Sequence, residues 1–195
     1  MVKLNGKKKI NLAVFISGRG TNFKSILDFS KNKNCSYIVK LVICNKKNAK
    51  GLKYAKKNKI KFEIVNYKNK LKAENKTLFK LKKNNIDLIC LAGFMKILSK
   101  EFIDNYKNRI LNIHPSLLPK YKGLNTHKKV ILNNEKFTGC TVHIVNSKLD
   151  SGKVIFQKKI KVLKNDNEKT LAKRLLKIEN KVYPIALKKF ISSNL

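Results

Sequence analysis

The chain reads as a single α/β domain, a mostly parallel twisted sheet with helices on both faces and an antiparallel C-terminal portion. Three observations predict this. Apolar β-rich runs alternate with stretches of helical period through the first half of the chain. The run 86–91 is nearly all apolar, as parallel strands covered on both faces tend to be. Beyond residue 133 the order changes to two consecutive strands and one long helix.

Each element follows from its own residues. Positions 1–9 form a basic N-terminal extension. The apolar stretch after it contains Asn11 and runs into Gly18-Arg19-Gly20 without a small-residue cleavage site, so it is not a signal peptide. Ile10–Ile16 predicts a buried strand, Gly18-Arg19-Gly20-Thr21-Asn22 a turn, and Phe23, Ile26 and Leu27 a helix. Tyr37–Cys44 predicts a second strand, followed by a helix near 49–58. Residues 62–65 form a short strand, and Leu71, Leu78 and Leu81 mark one face of a helix near 71–84. With the strand at 86–91, four strand-then-helix repeats give a doubly wound order. Segment 109–123, with two prolines, is loop-like after an apolar strand at 110–113, and 124–133 is a short helix. Strands at 138–145 and 153–161 join through Asp150-Ser151-Gly152. A last helix, 168–190, starts from Asp166-Asn167-Glu168 as cap and acidic first turn. All of 1–195 belongs to one domain on this reading.

Composition limits the function classes. A hydrophobic fraction of 43% over 195 residues supports one sizeable core and argues against disorder. No apolar run approaches the roughly 20 residues of a membrane span. Cys35, Cys44, Cys90 and Cys140 stand far apart, with no C-x-x-C pair and no histidine at ligand spacing. They read as reduced core thiols of a cytoplasmic protein, without a metal site. The net charge of +35 has two readings. Clustered cations would bind phosphates of nucleic acid. Alternatively, the abundance of Lys, Asn and Ile reflects compositional drift. The lysines are spread from end to end and Arg occurs only at 19, 109 and 174, whereas readers of base sequence favour arginine. Either way, the positive field attracts anionic substrates.

The turn Ser17-Gly18-Arg19-Gly20-Thr21-Asn22 leaves a strand and opens a helix, so its N–H groups face an anion-sized space. It lacks the third glycine of a dinucleotide fingerprint and an acidic residue closing the second strand. It is either a tight connection or a holder of one phosphate. The three histidines, His114, His127 and His143, all fall in one stretch. Asn112 and His114, two apart on an extended segment, project to one face. Together they suit acyl transfer. The amide can donate to a developing oxyanion, a contribution of about 3 kcal/mol. The imidazole can stabilise the same charge or carry the proton lost by an attacking amine. A charged imidazole needs a carboxylate, and Asp150 is the best placed of only 11 acidic residues. Its turn is expected on the side where strand-end loops gather; otherwise it is a plain turn residue. Ser116 lacks the setting of a nucleophile.

The run from Asn112-Ile113-His114-Pro115-Ser116-Leu117-Leu118-Pro119 to His127 resembles the core motif of the glycinamide ribonucleotide formyltransferase family. The likeness extends over nearly the whole chain, through Ser17 to Asn22, Leu91 to Leu98, and Gly139 to Gly152. It implies a Rossmann-like formyltransferase fold and transfer of a formyl group from 10-formyltetrahydrofolate to the amine of glycinamide ribonucleotide in purine synthesis. By motif it implies Asn112, His114 and Asp150 as the catalytic trio. Gly20, Thr21, Asn22 and Glu179 would bind the ribonucleotide. Met95, Lys96, Ile97 and Leu98 would line the folate pocket with Asn112, and Lys70 falls near the residue meeting the folate's glutamate tail. A cis bond before Pro119 is implied too. Lys96 stands where many relatives have Arg, which loses the planar fork, and Lys122 and Asn125 replace residues often Pro and His.

Other readings make different demands. A deformylase of the same superfamily would carry an added N-terminal domain, and a methionyl-tRNA formyltransferase an added C-terminal one. A basic nucleic-acid module would interleave exposed aromatics with cations. The expectation is an enzyme of small-molecule substrates, a monomer or homodimer, with no metal, nucleic-acid or membrane partner.

Overall fold

The computed structural model describes residues 3, 4 and 7–195, with side chains from Lys9 onward. The basic extension therefore lies largely outside the described residues. Of it, only the backbone pairing of β1 (Lys3–Leu4) with β2 (Lys7–Lys8) is described.

From there the order is β3 (Ile10–Ile16), α1 (Thr21–Ser30), β4 (Tyr37–Cys44), α2 (Leu52–Lys57), β5 (Lys61–Ile64), α3 (Lys70–Lys83) and β6 (Leu88–Leu91). Then come α4 (Lys100–Asn105), β7 (Ile110–His114), α5 (Thr126–Leu132), β8 (Phe137–Ile144), β9 (Val154–Lys161) and α6 (Glu168–Asn194). One seven-stranded sheet runs β5-β4-β3-β6-β7-β8-β9. Strands β5 to β7 are parallel, and β8 and β9 are antiparallel additions. This is the predicted fold class.

The central strand shows why. In β3, Leu12, Val14 and Ile16 point to one face and Ala13 and Phe15 to the other, all fully buried. The first set packs under α1 and α6, through Phe23, Ile26, Leu175, Tyr183 and Leu187. The second packs under α3 and α4, through Leu81, Phe102 and Ile103. Both faces are covered, so the strand must be apolar throughout. The buried Tyr183 hydroxyl meets the carbonyls of Leu91 at 3.1 Å and Leu111 at 2.9 Å, joining α6 to the end of β6 and the first half of β7.

Some expectations need correction. Leu71 is 70% exposed. On a helix it lies about 80° round from Leu81, outside the buried arc of Ala73, Glu74, Thr77 and Leu81. Helix α4 was not anticipated, though Ser99 caps it by accepting the Phe102 N–H at 3.1 Å and Glu101 sits in its first turn. The last helix runs four residues further than predicted, to Asn194. All four cysteines are buried and free. The Leu118-Pro119 bond is cis. No helix among the described residues is long and apolar enough to cross a membrane.

Candidate active site

The chain passes from β3 outward to β4 and β5, then crosses back to lay β6 on the other side of β3. Ligands of open parallel sheets bind beyond the carboxyl ends of the strands at such a reversal. Here the two loops flanking it are joined, since the Met95 N–H donates to Ser17 Oγ at 2.8 Å. A cleft of about 570 Å³ opens beside them, lined by residues 93–98, 112–115, 123–127 and 145–150 with His143 and Glu168. A wider depression of about 960 Å³ lies at the opposite pole, around Asn11, Lys40, Asp87 and Arg109, and holds none of the predicted residues. The convergence of titratable groups marks the smaller cleft as the site.

Asn112 and His114 both line it, at the end of β7. The His114 Nε2–H donates to the Tyr121 carbonyl at 2.8 Å, which leaves Nδ1 facing Asp150 Oδ2 at 3.3 Å. The same carboxylate accepts the Gly123 N–H at 2.9 Å. Its other oxygen lies 3.6 Å from His143 Nε2. His143 is paired with Asn112 across the β7–β8 ladder. Its Nδ1–H donates to the Ile144 carbonyl at 2.9 Å, so Nε2 can accept from Asn112 Nδ2 at 3.2 Å. Asp150 thus sits between two imidazoles, each oriented by a backbone carbonyl.

Burial pulls His114 below its ordinary value, against the opposing pull of the Tyr121 carbonyl and the Asp150 charge. Burial pushes Asp150 up, but the neighbouring His143 ring, the bond from the Gly123 N–H and the His114 charge outweigh it, leaving the carboxyl below its ordinary value. The carboxylate stands beside the ring as expected, yet burial sets the direction of the imidazole's shift.

Asp150 reaches this point by an unexpected route. Because β8 is antiparallel, it ends at Ile144 opposite Leu111, and the Val145 N–H donates to the Ile110 carbonyl at 2.8 Å. The connection therefore leaves beside the start of β7, yet it returns Asp150 to His114 and Gly123, on the side where strand-end loops gather. Residues 145–153 double back over the sheet, with Asp150 at φ 46°.

Met95, Lys96, Ile97 and Leu98 form one wall. Met95 is 64% and Ile97 68% exposed, an uncovered apolar surface suited to a flat ring. Lys70 opens α3, is exposed, and does not line the cleft.

Gly20, Thr21 and Asn22 form the start of α1 on the neighbouring loop. Gly20 is left-handed at φ 70°, and no side chain caps the helix. The first intrahelical bond runs from the Lys24 N–H to the Gly20 carbonyl, so the N–H groups of the first turn are left for an outside acceptor. Asn22 Nδ2 donates to Glu179 Oε2 at 2.9 Å, both residues buried. Asn22 Oδ1 is buried without a partner among the described residues. Burial pushes Glu179 up to about 7, with Asn22 opposing.

His143, His127 and Glu168 also line the cleft, with no role assigned to them from the sequence. The confinement of all histidines to one stretch was the signal for the two imidazoles. His127 lies below its ordinary value because of burial, with the Glu168 charge opposing.

The family model for formyl transferase matches residues 10–187. The human trifunctional purine biosynthetic protein adenosine-3 is 39% identical over 93% of this chain, which spans only 18% of that relative's length. A phosphoribosylglycinamide formyltransferase of Haemophilus influenzae is 37% identical, covering 94% of this chain and 88% of its own. Among solved structures, the Brucella melitensis phosphoribosylglycinamide formyltransferase aligns with a TM-score of 0.90 at 38% identity, over 94% of this chain and 96% of that one. The glycinamide ribonucleotide transformylase 1 of Symbiobacterium toebii aligns with a TM-score of 0.91 at 34% identity, over 96% and 90%.

Proposed function

This chain belongs to the formyl transferase family, and on that premise we propose that it transfers the formyl group of 10-formyltetrahydrofolate to the amine of glycinamide ribonucleotide in purine synthesis. The observation that carries the reading is Asp150 set between His114 and His143 in the lining of a mostly apolar cleft.

The cleft fits the donor. The uncovered Met95 and Ile97 offer an apolar wall for a pterin ring, and Asn112 and Asp150 supply polar partners at depth. When bound, the folate supplies an activated formyl carbon. The uncapped start of α1 would take the ribonucleotide phosphate, with Asn22 and Glu179 beside it.

The amine nitrogen forms a bond to the formyl carbon, and the carbonyl electron pair moves onto oxygen. Asn112 Nδ2 is the hydrogen-bond donor for that charge, and a protonated His114, whose two N–H groups face the Tyr121 carbonyl and Asp150, stabilises it through its positive charge. Asp150 holds the imidazolium and assists the proton leaving the amine, while the bond to the folate nitrogen breaks and that nitrogen gains a proton. Formylated amine and tetrahydrofolate result. The test is turnover with both substrates, followed by absorbance. Saturation in each is expected, and no turnover with glycinamide ribonucleotide would reject the reading.

A further inference from the structure

Gly51, in the loop between β4 and α2, has φ −65° and ψ −23°, a conformation open to every L residue. Backbone freedom therefore does not require glycine there. Packing does. A Cβ on Gly51 would stand 2.9 Å from Gly20 Cα and 3.1 Å from the Gly18 carbonyl oxygen. A Cβ on Gly20 would meet Gly51 Cα at 2.7 Å, so the two backbones touch without any side chain between them. The Gly51 N–H also donates to the Gly18 carbonyl at 2.9 Å.

We infer that Gly51 is a positioning residue for phosphorylated substrate: it seats the Gly18-to-Gly20 turn and thereby aims the free N–H groups of the first turn of α1. This rests on the phosphate role given to Gly20, Thr21 and Asn22 above. A second feature points to a ligand there: the buried Asn22 Oδ1 has no partner among the described residues, and as an acceptor it suits a donor on the same substrate, a hydroxyl or the amine, beside the phosphate. Real Cβ atoms do not approach backbone carbon under about 3 Å, so alanine at 51 forces the turn outward. Hydrogen bonds weaken steeply with such displacement, and several N–H groups move together. The nearest neighbours of that Cβ are Gly20, Ile16 Cδ1 and Gly18, none of them in the formyl-donor wall of residues 95–98, whose link to this loop is the Met95 N–H bond to Ser17 Oγ, ahead of the turn.

The test is steady-state kinetics of Gly51→Ala with each substrate varied in turn. The expected result is a KM for glycinamide ribonucleotide raised at least tenfold, with kcat and the KM for 10-formyltetrahydrofolate within about twofold of wild type. A folded variant with unchanged ribonucleotide KM, or with both KM values raised alike, overturns the inference. Should the variant not fold, amide NMR of the wild type titrated with inorganic phosphate decides. The Gly51 N–H must shift with those of Thr21 and Asn22, and a silent Gly51 beside shifting Thr21 and Asn22 overturns the inference. If the wild type binds phosphate at this turn yet does not turn over glycinamide ribonucleotide, the proposed reaction fails and the role of Gly51 stands.

Discussion

His114 Nδ1 faces Asp150 Oδ2 at 3.3 Å, with both side chains only 7% exposed. In so dry a setting the carboxylate and the desolvation of the ring act on the same proton in opposite senses. Replacing His114 by Ala or Asp150 by Asn is expected to cut turnover by roughly 10²- to 10⁴-fold, with circular dichroism unchanged. The ring titration gives an independent check. His114 should titrate below the ordinary 6.5 in the wild type, and lower still in Asp150→Asn, which removes an upward pull. NMR of the three histidines reads both; a midpoint raised by the asparagine would contradict the assignment.

His143 packs 3.6 Å from Asp150 on its other side and accepts from Asn112. His143→Ala should let the Asp150 carboxyl rise toward its ordinary value and let both trio partners drift. A loss of roughly 10²-fold in kcat follows from misplacement of about 1 Å, with thermal stability little changed. A pH–rate profile measures it: the limb assigned to Asp150 moves upward.

Glu179 is protonated in the fold up to about 7, against an ordinary value of 4.5. Between those values the folded state holds a proton that the unfolded state has released. Stability therefore falls as pH rises through this window and levels off above it. At 1.36 kcal/mol per pH unit the full loss is roughly 3 kcal/mol. Glu179→Gln should remove this component, so that stability in urea at pH 8 relative to pH 5 is higher in the variant than in the wild type by about that amount.

At Gly152 an added Cβ would lie 1.7 Å from the Ile144 carbonyl oxygen. Gly152→Ala is expected to cost about 1–3 kcal/mol by overpacking and to displace Asp150, two residues away. Urea resistance and turnover should both decline; a stable, fully active variant would show that segment 145–153 has room to move.

Much of the fold was legible because the physics is local. Strands β3, β4 and β6 are buried on both faces over most of their length and declare themselves as apolar runs, interrupted only by Asn11 in β3 and Lys40 in β4. The cap at Asn167, which accepts the Lys169 and Thr170 N–H groups, was visible as Asp-Asn-Glu before an apolar period. Leu71 misled because a leucine counts toward a helical stripe whether or not a neighbour covers it. Helix α4, six residues long, is too short to show a period. The site divides the same way. Asn112, His114 and Asp150 carry their chemistry in the residue type and motif. His143 enters only through the β7–β8 register that sets it opposite Asn112, and Gly51 only through a contact between backbones. No single-residue preference reports either one.

The strap 145–153 is pinned at both ends, by the Val145 N–H to Ile110 and by the Lys153 carbonyl to the Ile144 N–H at 2.9 Å. Between those pins its length works as a ruler, measuring out where one oxygen stops. An extended residue spans about 3.3 Å, as much as the whole gap between His114 and Asp150. Deleting one residue from 146–149 would leave the ladder, the core and the cleft wall of residues 95–98 as they are. The protein would still fold, with its carboxylate out of reach of the ring it serves.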